Sequence, residues 1–218
     1  MSDIIAVSFN EAMREKNIFL ALFQNDPLAQ EDFFSYLPED LQKILRDFAK
    51  ENFRGEEGET KSLWLGGKIR ERIVLFGLGE REKFTMRKLP LVARRMAQYA
   101  KRERIASFAT ALVPLDGADH GRIAKIYAEN ALMAEFEYVT YKTPPREGWP
   151  KIQKITLSVC EKKDLFSAIK GAREGMAIGE ETNGCRDLAN TPGSDMTPKK
   201  LADAARKIAR RTGMSVKI

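Results

Sequence analysis

The chain has 218 residues, with 37 Lys and Arg against 31 Asp and Glu, so its formal net charge is +6 and its pI is about 9.3. The hydrophobic share of 43% is ordinary for a globular protein and excludes disorder along the whole chain, and no window of about 18 apolar residues predicts a transmembrane helix. Two cysteines and a single histidine exclude a disulfide framework and a metal site built from several histidines.

The N-terminal third of the chain predicts strands on both sides of one helix. Its first residues lack the basic and apolar regions of a signal peptide, so we expect a cytoplasmic protein. Residues 3–9 and 17–23 are apolar runs typical of strands, the second closed by a turn at 25–27. Pro38 begins a helix with apolar residues at helical spacing, and a Gly-Gly turn predicts a hairpin between strands over 60–65 and 69–76.

The middle of the chain alternates strands with helices. Residues 72–76 are a predicted strand that runs into a Gly-Leu-Gly turn, and a helix over 86–104 follows. The next predicted elements are a strand over 105–113, a helix over 123–134, an extended stretch over 136–141 and a strand over 152–159. This alternation predicts an α/β domain with a mixed or partly parallel sheet flanked by helices, over about residues 1–160.

A long helix is predicted to leave this domain. Asp164 can cap it, and residues 161–190 form the predicted connecting helix. Thr197 and Pro198 have the N-cap and first-turn chemistry of a further helix, which Gly213 ends.

The C-terminal segment 191–218 predicts the opening of a truncated second domain. It holds this further helix and a predicted strand over 215–218, and one helix with one strand cannot bury a core of its own. We therefore expect the apolar side of the helix, formed by Leu201, Ala205 and Ile208, to face elements that these residues do not include.

Two interpretations are open for Gly77-Leu78-Gly79. Glycines between a strand and a helix can bring backbone N–H groups close to a phosphate, as in a nucleotide or ADP-ribose site. The motif lacks a third glycine, however, and Glu80 and Glu82 place negative charge where a phosphate would lie. A structural turn is therefore the favoured interpretation.

Two predicted helices are strongly basic. Arg94, Lys101 and Arg104 can share one face of the first, and the second carries Lys199, Lys200, Arg206, Lys207, Arg210 and Arg211. Such faces can contact nucleic-acid phosphates, which leaves a nucleic-acid-binding module open as an alternative function. Nothing in the pattern specifies bases, and most basic faces are solvated or paired with nearby acids, so we favour the structural interpretation.

No catalytic, cofactor-binding or metal-binding residue is predicted in this chain. His120 lies in a polar loop, where we expect solvent exposure rather than membership of a catalytic triad. Arg186 and Asp187 are expected to form a cap and salt bridge near a helix end, and Cys185 is expected to pack on its helix.

Three segments follow one another along the chain in an order that is typical of a known protein family. Residues 73–79 are a strand and its glycine turn, and residues 128–143 are a helix that leads into a stretch ending Tyr141-Lys142-Thr143. Residues 185–213 begin Cys-Arg-Asp-Leu-Ala-Asn-Thr-Pro and continue through Thr197-Pro198. Together they resemble the N-terminal half of the family M17 leucyl aminopeptidases, the last segment resembling the run that opens the family's catalytic domain.

The resemblance implies an N-terminal α/β domain similar to a macro domain, then a helix, then a catalytic domain. In that family the catalytic domain holds two divalent metals, Zn or Mn, and members assemble as cytoplasmic hexamers that remove N-terminal residues from peptides. The run that carries the family's metal-binding Lys and acids does not occur in these 218 residues. We therefore expect the isolated chain to bind no cofactor, to be non-catalytic, and to serve assembly or active-site access in a longer parent enzyme.

Overall fold

A computed structural model describes residues 2–24, 28, 33–67, 71–115 and 117–218, and these residues contain a six-stranded mixed β-sheet. The strands are β1 (Asp3–Ser8), β2 (Asn17–Leu22), β3 (Thr60–Trp64), β4 (Arg72–Gly77), β5 (Ser107–Ala111) and β6 (Lys154–Val159). They lie in the order β1-β6-β5-β2-β4-β3, and all neighbours are parallel except the antiparallel pair β3 and β4. The predicted α/β class with a mixed sheet is confirmed, and so is the antiparallel pair.

Helices cover both faces of the sheet. They are α1 (Phe9–Ala12), α2 (Glu39–Asn52), α3 (Leu89–Arg102), α4 (His120–Glu135), α5 (Lys162–Asn190) and α6 (Pro198–Thr212). One core lies between the sheet and α3, α4 and α5, and it includes Phe19, Met96 and Ala172. The second core lies between the opposite face and α2, and it includes Leu20 and Leu45.

The burial of each strand follows from its position in the sheet. Every residue of β2 and of β4 is buried, which agrees with the apolar runs of these two strands and with helices on both faces. β3 lies at an edge, where Lys61 and Trp64 are exposed. The guanidinium carbon of Arg72 lies 3.7 Å from the centre of the Trp64 ring, so the edge strand covers a buried cation of β4.

Glycines allow α4 and α5 to pack closely against each other. Gly171, Gly175 and Gly179 recur at every fourth residue of α5, and all three are buried. A Cβ at Gly171 would lie 1.9 Å from the carbonyl oxygen of Gly121, and one at Gly175 would lie 2.2 Å from that of Lys125. The two backbones are therefore closer than any residue with a side chain would permit.

Two predicted extended segments are absent from the sheet. Residues 136–153 contain neither helix nor strand, so the stretch over 136–141 contributes no strand. The strand predicted over 215–218 is wrong, and Val216 and Ile218 are exposed. Their alternating apolar pattern is typical of a strand, but a strand needs a neighbour to receive its hydrogen bonds, and none of the described strands lies beside it.

The ends of two helices differ from those predicted. α4 begins three residues early, at His120, because the Asp119 carboxylate accepts the N–H of Arg122 at 3.0 Å. α5 begins at Lys162 after Glu161, so Asp164 lies in its first turn rather than at its cap. Thr197 caps α6 and Gly213 ends it at φ +74°, as predicted. The predicted turn at 25–27 lies outside the described residues.

Where the chain is described, none of its helices has the length and apolar composition to cross a bilayer.

Candidate functional site

The backbone N–H groups of the turn Gly77-Leu78-Gly79 are all hydrogen-bonded to other backbone groups of the protein. Its three N–H groups donate to the carbonyl oxygens of Glu59, Leu22 and Gly55, at 2.8, 2.9 and 2.9 Å. A Cβ at Gly77 would lie 2.0 Å from the carbonyl oxygen of Glu56, so glycine is needed for this approach. With every N–H of the turn already bonded, the arrangement fits a structural turn and not a phosphate cradle.

The three residues of the first predicted basic face, two in α3 and one just after it, are held within the molecule. Arg94, Lys101 and Arg104 bond respectively to the Asn130 side chain (3.0 Å), the Glu135 carbonyl oxygen (3.0 Å) and the Glu147 carboxylate (3.2 Å). These contacts tie the helix to α4 and to the segment 136–153. The predicted basic face is therefore engaged internally, which leaves little of it for nucleic-acid phosphates.

The single histidine, His120, connects the N-terminal turns of α4 and α5. His120 is the first residue of α4, and its Nδ1 lies 3.2 Å from the carboxylate of Asp164 on α5. Its side chain is 26% exposed, so it keeps partial access to solvent, but it lies in a helix and not in the predicted loop. The pair links α4 to α5 at one end of their interface.

Two side chains of α5 donate hydrogen bonds to the C-terminal carbonyl groups of α4. Arg186 Nη1 donates to the carbonyl oxygen of Met133 at 2.8 Å, and Asn183 Nδ2 donates to that of Leu132 at 2.8 Å. The last carbonyl groups of a helix lack partners within the helix, so these bonds satisfy them. Arg186 and Asp187 were expected to form a cap and a salt bridge; Arg186 does cap a helix end, that of α4, but the described contacts include no ion pair between the two.

Two tyrosines connect the segment after α4 to the turn before α6. Tyr138 Oη donates to Thr191 Oγ1 at 3.2 Å, and the Tyr141 hydroxyl donates to the carboxylate of Asp195. The bond to Asp195 and that residue's negative charge raise the pKa of Tyr141, because both favour the protonated phenol. We call these four residues the tyrosine joint. Sequence reasoning missed it, since hydroxyl groups in two distant loops give no signal of pairing.

A groove of about 910 Å³ lies between the C-terminal half of α5, α6 and residues 150–153. Its lining includes the apolar side chains Phe136, Ile152, Leu188 and Ile208. Cys185 also lines the groove and is exposed, so the expectation that it packs on its helix is wrong.

α6 contacts the rest of the molecule along little of its surface. Ala209 is buried, whereas Leu201 is 52% and Ile208 is 37% exposed. The sequence predicted an apolar side without neighbours here, and the exposure of these two residues agrees with it.

Two partly buried carboxylates have opposite pKa shifts. Burial raises the pKa of Glu15, but hydrogen bonds from Lys154 Nζ (2.7 Å) and Ser107 Oγ (3.1 Å) outweigh it, so the net shift is downward. Burial also raises the pKa of Glu135, and there it outweighs the bond from Ser2 Oγ at 2.6 Å, so the net shift is upward.

Among the described residues, no group of three or more His, Cys, Asp or Glu side chains is placed to hold a metal ion. The two-metal centre implied by the resemblance therefore does not fit the residues that the structure describes. Nothing tests the prediction that this chain holds no catalytic residue, and it stays a prediction.

Comparison with known proteins finds both sequence and structural relatives. The probable cytosol aminopeptidase of Bordetella avium is 32% identical over 178 residues, which cover 80% of this chain and 35% of that protein. A tomato leucine aminopeptidase mutant superposes with a TM-score of 0.71 at 19% identity, over 97% of this chain and 42% of that one. The bottromycin maturation enzyme BotP in complex with Mn superposes with a TM-score of 0.65 at 17% identity, over 91% of this chain and 37% of that one. At these identities the two structures show the fold alone.

The fold and its relatives define an aminopeptidase N-terminal domain. The model of the cytosol aminopeptidase family, N-terminal domain, matches residues 19–145, more than half of the chain. This chain belongs to the cytosol aminopeptidase family, which confirms the predicted family, and the match includes the segment over 73–79 and the segment over 128–143 up to its last residue. The chain spans about a third of the length of the curated relatives it matches.

Proposed function

We propose that this chain is the N-terminal portion of a metal-dependent leucyl aminopeptidase, that it is itself non-catalytic, and that it serves assembly and active-site access. The observation that carries the proposal is the family match over residues 19–145. In this proposal residues 1–160 are a macro-like N-terminal domain, residues 161–190 are a connecting helix, and residues 191–218 open the catalytic domain.

The exposed apolar groups at the C-terminal end support the last part of this division. Leu201 and Ile208 on α6, and Met214, Val216 and Ile218 after it, are all at least 37% exposed. Contiguous exposed apolar groups usually mark a surface that meets another element. In a longer parent we expect the catalytic domain to cover them.

The parent would hydrolyse the N-terminal peptide bond of its substrates with two divalent ions, Zn or Mn. One structural neighbour, BotP, is known in complex with Mn, which supports a divalent metal in proteins of this fold. Because the described residues do not fit such a centre, we assign no metal-dependent step to them and place the ligands in the catalytic domain of the parent. A cytoplasmic location and a homohexamer are the matching proposals for the parent.

The two alternative functions receive no support. The N–H groups of Gly77-Leu78-Gly79 are all bonded internally, which disfavours an ADP-ribose or nucleotide site there. Arg94, Lys101 and Arg104 are engaged with α4 and the segment 136–153, which disfavours a nucleic-acid surface on the face that they share.

Two measurements test the proposal. The purified chain, incubated with leucine p-nitroanilide and Mn or Zn, should show no turnover above buffer, with a full-length family member as the positive control. Turnover that a chelator abolishes would overturn the non-catalytic part. The reading frame of the gene should continue past Ile218 and encode a Lys followed by clustered acids. A stop codon directly after Ile218 would overturn the proposal of a longer parent enzyme.

A further inference from the structure

The tyrosine joint brings together two of the segments that carry the family resemblance. Tyr138 and Tyr141 belong to the stretch over 128–143, whereas Thr191 and Asp195 belong to the run over 185–213. The Thr191 hydroxyl connects Tyr138 to α5, because it also donates to the Asp187 carbonyl oxygen, at 2.8 Å, in the last turn of that helix. The segment after α4 therefore holds the turn through which the chain passes from α5 to α6.

Other contacts do little to position α6. Ala209 is its buried residue, and the groove of about 910 Å³ separates much of the helix from α5 and residues 150–153. At its far end Arg211 pairs with Glu181, but the two side chains are 60% and 55% exposed, and exposed ion pairs contribute little. A helix of 15 residues with one buried residue is marginal by itself, so its order depends on how its start is anchored.

We infer that Tyr138 and Tyr141 are positioning residues, whose hydroxyl groups clamp the turn before α6 so that the chain leaves the α/β domain in one orientation. The clamp is a property of these 218 residues, and only its use, to orient a following catalytic domain, rests on the proposed function. The amide hydrogens of α6 then owe part of their protection to two phenolic hydroxyl groups that lie more than fifty residues away in sequence.

Amide hydrogen exchange of the whole chain tests the clamp. Tyr138→Phe and Tyr141→Phe each remove one hydroxyl and keep the ring, and each should speed exchange across residues 198–212 about threefold. The double variant should speed it about tenfold, while exchange in β2 and β4 stays at the wild-type rate. Tyr36→Phe is the matched control, because Tyr36 is also partly exposed, at 45%, but lies on the opposite face beside Phe9.

Two further outcomes decide the inference. If Tyr141 acts through Asp195, adding Asp195→Ala to Tyr141→Phe should speed exchange no more than either change alone. Unchanged exchange over 198–212 in the double Phe variant would overturn the clamp, and so would an equal increase in the central strands, which would mean global destabilisation. Neither result depends on peptide hydrolysis, so failure of the clamp and failure of the proposed function can be told apart.

Discussion

Replacing Gly175 with alanine should destabilise the protein, because the new methyl group has no space between α4 and α5. Its Cβ would lie 2.2 Å from the backbone oxygen of Lys125 and 3.0 Å from the Cβ of Ala128. A backbone oxygen in the middle of α4 cannot move away without shifting the helix, so the helices must separate by about 1 Å and lose contacts along their interface. Overpacking of this kind costs about 1–3 kcal/mol or more, and the better helix propensity of alanine returns up to about 1 kcal/mol.

Because the 2.2 Å contact is with a backbone atom, we take the upper end of this range, about 3 kcal/mol, and expect a net loss of about 2 kcal/mol. Such a loss lowers the Tm of a chain this long by roughly 4–8 °C. Gly184→Ala is the matched control, since Gly184 lies in the same helix and a Cβ there meets nothing within 4 Å. It should gain up to about 1 kcal/mol from helix propensity. Urea unfolding followed by circular dichroism measures both variants, and equal changes of the same sign would refute the steric argument.

Three further substitutions probe buried or partly buried polar groups by urea unfolding. Tyr127→Phe should raise the free energy of unfolding by about 1 kcal/mol, because the Tyr127 hydroxyl is buried and no described residue forms a hydrogen bond with it; a loss of stability would show that the hydroxyl is satisfied. Glu15→Gln should cost about 1 kcal/mol at pH 7, allowing for partial exposure. Because the folded-state pKa of Glu15 is lowered, its contribution is present above the unfolded value near 4.3 and disappears as the pH falls through the folded pKa, so a cost that stays constant as the pH is lowered below the unfolded value would contradict this assignment. The folded-state pKa of Glu135 is raised, so its stabilisation is complete below the unfolded value and is lost as the pH rises; Glu135→Gln should gain stability over the wild type at pH 7 and not at pH 4, and the reverse order would contradict it.

The elements of the sheet could be predicted because each depends on a local pattern. Residues 18–23 and 73–76 are apolar runs, and continuous runs of this kind are typical of strands that are buried on both faces. The strand over 215–218 failed for the converse reason, since its alternation is equally local but its partner would have to come from elsewhere in the chain. A local hydrophobic pattern therefore predicts a strand correctly only where the fold places another strand beside it.

The contacts that hold α5 and α6 in place could not be predicted in this way. The spacing of Gly171, Gly175 and Gly179 is visible in the sequence, but glycine disfavours a helix locally and only the backbone of α4 explains it. Arg186 was expected to find its partner at the adjacent Asp187, yet its guanidinium reaches a carbonyl group 53 residues away. Such long-range polar contacts depend on the relative placement of elements, which no short window of sequence contains.

The glycine contacts between α4 and α5 should affect global unfolding, whereas the tyrosine joint should affect only local unfolding of α6. The glycine contacts place Ala168 and Ala172 of α5 in the main core, so loosening them must weaken the sheet and α5 together. The tyrosine joint lies at the surface and holds a helix with one buried residue, so loosening it should free α6 alone. Gly175→Ala should accordingly speed amide exchange in β6 as well as in α5, whereas the double Phe variant should leave β6 at the wild-type rate. If α6 exchanges faster in both variants, the position of α6 depends on α5 as well as on the joint, since α5 ends where the joint begins.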